Sequence, residues 1–277
     1  MRRLLVSVDM EGVAGVASTV SLMPSGWEYT AYRRWMTAEL NAVSEAAFAA
    51  GYDEVIAADG HGNAQNIDPD LLVDNVQLIR SFPRPLLQMQ MIDDPSVDAC
   101  AFVGYHAGAG TADGLLAHSY SGAALRSIRL NGELASEGYF NAALAGSFGK
   151  PVLFVSGDEY TIEDARRYAP GAKFVTTKTS FGFKSQMALP PAQTCGALRE
   201  AAEAAFSQPS AVSFKVEPPF VVDLEMTSHG APEMLAYLPW VERLDGWSIR
   251  ATFDSMADAM RFISFVIMYQ PNGQTPF

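Results

Sequence analysis

Leu4-Leu5-Val6-Ser7-Val8-Asp9-Met10-Glu11-Gly12 joins an almost uninterrupted apolar run to two carboxylates and a glycine. The pattern recurs twice. Residues 55–58 run into Asp59-Gly60-His61-Gly62, and residues 99–103 into Gly104-Tyr105-His106-Ala107. Near-continuous apolar runs of this length suit parallel strands covered on both faces. In such sheets ligands bind beyond the carboxyl ends of the strands. Asp9 and Glu11 are two apart, so in an extended backbone they point to the same side. Carboxylates and imidazoles at three strand ends are the ligand types that divalent metals of hydrolytic sites use.

Working outward, residues 29–50 read as a helix closed by Gly51, and residues 54–58 as the second strand. A helical turn opens at Asp68-Pro69, residues 76–79 are strand-like, residues 83–91 read as a short helix, and residues 98–105 as a buried strand. Residues 127–130 form a further strand, with Asn131-Gly132 as a hairpin turn. A helix over 137–148 and a strand over 152–155 follow, ending in the turn Ser156-Gly157-Asp158. The succession predicts an α/β fold, a mostly parallel sheet with helices on both faces. Pro190-Pro191 marks a boundary, giving an α/β metal-binding catalytic domain over 1–189 and a smaller C-terminal α+β unit over 190–277. Within the latter we expect helices at 192–206 and 255–269 and strands at 213–216, 220–225 and 248–253.

Composition narrows the function classes. The chain has 277 residues, and a formal charge of −12 argues against capture of nucleic acid, which needs a surplus of Lys and Arg on at least one face. The longest apolar segment near the end, 259–269, contains Arg261 and is too short to span a bilayer, so no membrane association is expected. Met1-Arg2-Arg3 before an apolar run has the look of a signal-peptide entry, but Asp9 and Glu11 interrupt that run. The expected location is cytoplasmic. Cys100 and Cys195 show no pairing pattern and read as core thiols.

Each candidate residue also has a plainer reading. Asp9 could cap the following turn, and His61, between two glycines, could be an ordinary loop residue. His106 could be a core histidine bonded to backbone, and His118, in Leu116-Ala117-His118-Ser119-Tyr120, a surface one. Glu137 starts a helix, where the macrodipole favours a carboxylate in any case. Convergence at the ends of neighbouring strands shifts the balance toward a shared site.

Taken together, Ser7-Val8-Asp9-Met10-Glu11-Gly12, Asp59-Gly60-His61, Gly104-Tyr105-His106-Ala107, His118-Ser119 and Glu137-Gly138-Tyr139-Phe140-Asn141-Ala142 resemble the M55 peptidases. The likeness runs in order from residue 4 to about 190 and more weakly beyond. It implies a zinc aminopeptidase with two metal ions per subunit, acting on short peptides and favouring D-amino acids. It carries over Asp9, Glu11, His61, His106 and Glu137 as metal ligands and His118 as a catalytic residue. It also implies a ring-shaped homodecamer that encloses its active sites. The Asp59-Gly60 turn, the loop 19–27 and the segment 82–94 depart from the family's usual pattern and put the preferred peptide in question.

The residues agree with that chemistry. Three carboxylates and two imidazoles suit two zinc ions about 3.5 to 4 Å apart, with Asp9 as the candidate bridge and Mn2+ or Co2+ as other occupants. Water activated there would attack a peptide carbonyl, with His118 assisting the oxyanion or the departing amine. Two other readings use the same residues: a metal-dependent amidase acting on a non-peptide substrate, and a non-catalytic assembly protein held together by its ions.

Overall fold

The first strand forms mid-sheet in the computed structural model, which describes residues 1–209 and 212–269. It is β1 (Arg3–Val8), followed by α1 (Tyr29–Ala49), β2 (Glu54–Asp59), β3 (Val76–Ile79) and β4 (Val97–Tyr105). Next come β5 (Leu125–Leu130), β6 (Glu133–Leu134), α2 (Glu137–Ser147), β7 (Val152–Asp158), α3 (Glu159–Tyr168), β8 (Lys173–Ser180) and β9 (Gln186–Ala188). The remaining elements are α4 (Pro191–Ser207), β10 (Phe220–Met226), α5 (Gly230–Leu235), β11 (Val241–Arg243), β12 (Ser248–Phe253) and α6 (Met256–Met268).

Seven strands lie in the order β3-β2-β1-β4-β7-β8-β9. All neighbouring pairs are parallel except the terminal β8–β9 hairpin. Period-two alternation sends side chains from one strand into two separate cores. Leu5, Ile56, Ala58, Cys100 and Phe102 pack on one face, beneath α2 and α6. Leu4, Val6, Val8, Val55, Ala57 and Val103 pack on the other, beneath α1 and α4. This explains the nearly unbroken apolar runs, since neither face of these strands meets water. Each Leu, Ile, Val or Phe among them contributes roughly 1.5–3 kcal/mol when fully buried.

Three helix starts are fixed by side-chain caps. Ser136 accepts the Tyr139 N–H at the start of α2, Asp158 accepts that of Thr161 at α3, and Ser255 that of Asp258 at α6. A second, antiparallel sheet has the order β11-β12-β10-β5-β6. It draws β5 and β6 from the chain before residue 190 and β10 to β12 from the chain after it. Asn131 and Gly132 adopt φ of 51° and 85° in the β5–β6 turn, the left-handed pair a two-residue hairpin needs. Among the described residues no helix is long and apolar enough to cross a membrane.

Two expected elements differ. Residues 83–91 form only a single 3-10 turn, Leu87–Met89. Pro85 removes a helical donor and steers Arg84 away from helical geometry. Residues 213–216 are not a strand, and pairing begins at Phe220, just after Pro218-Pro219, which have no N–H to give a ladder. Residues 270–277 of the expected C-terminal unit lie outside the described residues.

Candidate metal centre

The chain stays in contact with β4 past the end of β1, as Asp9 N–H donates to the Val103 carbonyl (2.8 Å) and Gly12 N–H to that of Gly104 (2.8 Å). The approach demands glycine. A Cβ on Gly12 would lie 1.8 Å from the Tyr105 carbonyl oxygen, and Gly104 has φ of +67° with its missing Cβ position 2.3 Å from the Asp9 carbonyl oxygen. At the end of β2 the Asp59 carboxylate turns away and accepts the N–H groups of Asn66 (2.6 Å) and Ile67 (2.8 Å). It thereby shapes the loop that presents His61. His106 extends from β4, Glu137 opens α2, and His118 N–H is held by the Ala107 carbonyl at 3.2 Å.

All six side chains come together, in two trios. Asp9, Glu11 and His61 offer ligand atoms within 4.8 Å of one another, and so do His106, His118 and Glu137. The trios touch. Asp9 Oδ1 lies 3.6 Å from His61 Nδ1 while its Oδ2 lies 3.8 Å from His106 Nε2. His118 Nε2 sits 3.9 Å from Glu11 and 3.8 Å from Glu137. His118 is the most open of the set, its side chain 26% exposed, against 2–8% for the others.

The three rings share one device. His61 Nε2 donates to the Leu22 carbonyl (3.1 Å), His106 Nδ1 to that of Ala107 (3.0 Å) and His118 Nδ1 to that of Leu116 (2.9 Å). A carbonyl only accepts, so each ring gives its N–H to the backbone and turns its other nitrogen, bare in the neutral ring, toward carboxylate oxygens. His106 Nε2 is buried 3.2 Å from Glu137 Oε1 without making a hydrogen bond. Lone pairs facing lone pairs in a buried space call for cations between them. The donor set of oxygen and imidazole nitrogen without thiolate fits zinc with coordination positions left open.

Protons take that role in the metal-free chain. Burial and the charge of Glu11 push the Asp9 carboxyl well above its usual range. Burial would raise Glu11 as well, but the charge and hydrogen bond of His61 hold it well below. Burial disfavours charge on His106, yet Glu137 outweighs it and lifts the ring to about 10. His118 moves the opposite way, lowered by burial and by the neighbouring His106.

Several residues that sequence reasoning did not single out complete the site. Gln88 Nε2 donates to Asp9 Oδ2 (3.1 Å) and to Glu137 Oε2 (2.6 Å). The Tyr120 backbone N–H holds Glu137 Oε1 at 2.7 Å. Buried Lys178, on β8, donates to the carbonyls of Glu11, Val13 (2.9 Å) and Val16 (2.7 Å), and buried Glu39 accepts the Ala14 N–H at 2.8 Å. Together these two hold the backbone after Asp9, Lys178 through its carbonyls and Glu39 through an N–H. Lys178 lies in a β-branched, lysine-containing strand, and nothing local in its sequence marks it as buried. The trios open into a cavity of about 200 Å³ whose far wall is apolar, with Phe82, Leu87, Ile267 and Met268. Among the described residues no lysine or arginine lines it.

The α/β fold and a buried carboxylate–imidazole cluster at the ends of its parallel strands define a metallohydrolase. The chain belongs to the M55 peptidase family, the D-aminopeptidases, whose profile matches residues 1–265. Over 242 residues it is 28% identical to a D-aminopeptidase of Bacillus subtilis (strain 168), with 87% of each chain covered. It is also similar, with a TM-score of 0.90 and 27% identity over 95% of this chain and 96% of the other, to a solved structure described as "Zn-dependent D-aminopeptidase DppA from Bacillus subtilis, a self-compartmentalizing protease".

Proposed function

We propose that the protein removes N-terminal residues, D-amino acids in preference, from short peptides, using two zinc ions held by Asp9, Glu11, His61, His106 and Glu137. The observation that carries this reading is the position of Asp9, whose two carboxylate oxygens face one imidazole of each trio. Asp9 would thereby contribute to holding an ion at either trio. Zinc bound there would supply Lewis acidity and a water that ionises near neutrality.

The chain's own groups do the rest. The three carboxylates, with no lysine or arginine in the cavity lining, favour the ammonium end of a peptide over its carboxylate end. The apolar wall takes the first side chain and excludes water from it. His118, with its basicity lowered and its Nε2 directed toward Glu11 and Glu137, accepts the proton that the attacking water gives up and passes it to the nitrogen of the departing amine. The similarity to a protein described as self-compartmentalizing supports assembly into a closed multimer, the ring-shaped homodecamer, with cavities facing its interior.

A panel of D- and L-aminoacyl p-nitroanilides and dipeptides, assayed with zinc, manganese and cobalt beside metal analysis, tests the reading. Expected are two ions per chain and faster cleavage of D-residues. Full cleavage after thorough chelation would sink the mechanism, and a preference for L-residues would overturn the stereochemical part alone.

A further inference from the structure

The segment that carries Gln88 is held in an uncommon conformation. Ser81, Leu87 and Met91, none of them glycine, have φ of 67°, 46° and 80°. Left-handed backbone at non-glycine residues has an energetic cost and persists where the surroundings enforce it, often at functional sites. Here the surroundings are explicit. The buried Arg84 guanidinium donates to the Asp59 carbonyl at the end of β2 and lies 4.1 Å over the Phe82 ring. Ser264, on α6, donates to the Arg84 carbonyl at 3.0 Å.

The Gln88 amide is oriented as well as placed. Tyr120 hydroxyl donates to Asn141 Oδ1 (2.9 Å), so Asn141 Nδ2 faces Gln88 and donates to its Oε1 at 2.7 Å. Asn141 Nδ2 also reaches the Tyr105 hydroxyl (2.8 Å), which pairs with Ser7 at 2.7 Å. With its oxygen occupied, Gln88 must present its two N–H groups to Asp9 and Glu137, one carboxylate from each trio. Gly60 leaves the room for this, since a Cβ there would come 2.8 Å from Gln88 Cγ and 3.0 Å from Nε2.

Resting on the reading of this site as a two-ion centre, we propose that Gln88 is a positioning residue: a neutral strut that ties Asp9 to Glu137 and sets the spacing of the two ion positions, so that they fill as a coupled pair. A neutral double donor suits the task because it braces two carboxylates without occupying a ligand position or cancelling the charge that attracts the ions. Outer hydrogen-bond partners of metal ligands typically matter by about 10–100-fold in affinity or activity.

The test is a Co2+ titration of the full chain against a competing chelator, read by absorption spectrum, with kcat and KM measured alongside. Gln88→Met keeps the side chain's length and removes both donors. Expected are about 10–100-fold weaker binding of the second ion, an altered Co2+ spectrum and a fall in kcat with KM little changed. Should Gln88→Met fail to fold, Gly60→Ala displaces the amide without removing it and is expected to weaken the second ion in the same way. Where both fold, the double variant is expected to be no worse than Gln88→Met. Parent-like affinity and spectrum in either single variant overturn the proposal while leaving the metal centre standing. A parent that takes up no divalent ion overturns both.

Discussion

His106 and His118 stack face to face, with ring centroids 4.1 Å apart and planes 5° from parallel. Two imidazolium rings cannot share that arrangement cheaply, so charge on one suppresses it on the other. Glu137 holds the proton on His106, and His118 is left neutral. In the proposed centre an ion would displace that proton and make His106 a ligand, while neutral His118 would be left to carry a proton.

Substitution separates these roles. His106→Ala is expected to lower the metal content, measured by elemental analysis, from two ions per chain toward one. His118→Ala is expected to keep both ions while kcat falls by about 10²–10⁴. A fully active His118→Ala would remove its catalytic assignment.

Chelation should be felt in stability as well as in turnover. Asp9, Glu11 and Glu137 are each 3% exposed, and without an ion they rely on a proton at Asp9 and on the charges of His61 and His106 to offset one another. With free ion at a hundred times its Kd, binding contributes about 2.7 kcal/mol, so the melting temperature should drop on chelation and recover on adding zinc. An unchanged melting curve would argue against bound ions.

Glu39 gives the fold a pH dependence of its own. Burial pushes its carboxyl up from 4.5 to about 7, although the Ala14 N–H and the charge of Lys178 favour ionisation. The folded chain thus holds this proton more tightly than the unfolded one. Its contribution is fully present below pH 4.5 and is lost as pH rises through 7, a change on the order of 3 kcal/mol. Glu39→Gln can still accept the Ala14 N–H, and it should flatten this slope in urea denaturation measured from pH 5 to 8. An identical slope in the variant would refute the assignment.

Gly12→Ala should be far more damaging than an ordinary surface change. Its Cβ would meet the Tyr105 carbonyl oxygen at 1.8 Å, and neither backbone can yield without parting the ends of β1 and β4. A loss of about 3 kcal/mol or more is expected in chemical denaturation. A loss below about 1 kcal/mol would show that these strand ends can part at little cost.

Much of this architecture was readable because it is local. The apolar runs at β1, β2 and β4 identified parallel strands covered on both sides, and the carboxylates and imidazoles after them fell at the strand ends where the structure gathers them. Asn131-Gly132 marked its hairpin for an equally local reason. What escaped depends on distant partners. α3, β8 and β9 lack the long apolar runs of the inner strands: α3 is short and largely polar, and β8 and β9 mix Thr, Lys, Ser and Gln with their apolar residues. Lys178 looks like any strand lysine until the carbonyls of Glu11, Val13 and Val16 surround its ammonium. Gln88 sits in Leu86-Leu87-Gln88-Met89, where neither charge nor spacing distinguishes it, and its importance comes from left-handed backbone and from Asn141, 53 positions away.

The β5–β6 hairpin has a mechanical consequence. After His118 the chain runs out through β5, returns through β6 and re-enters the cavity at Glu137, while β10 grips the hairpin along its length. The outer sheet is thereby joined by short stretches of chain to both sides of the gap between those two side chains, and β10 offers a place for a fluorescent reporter that leaves the cavity lining untouched.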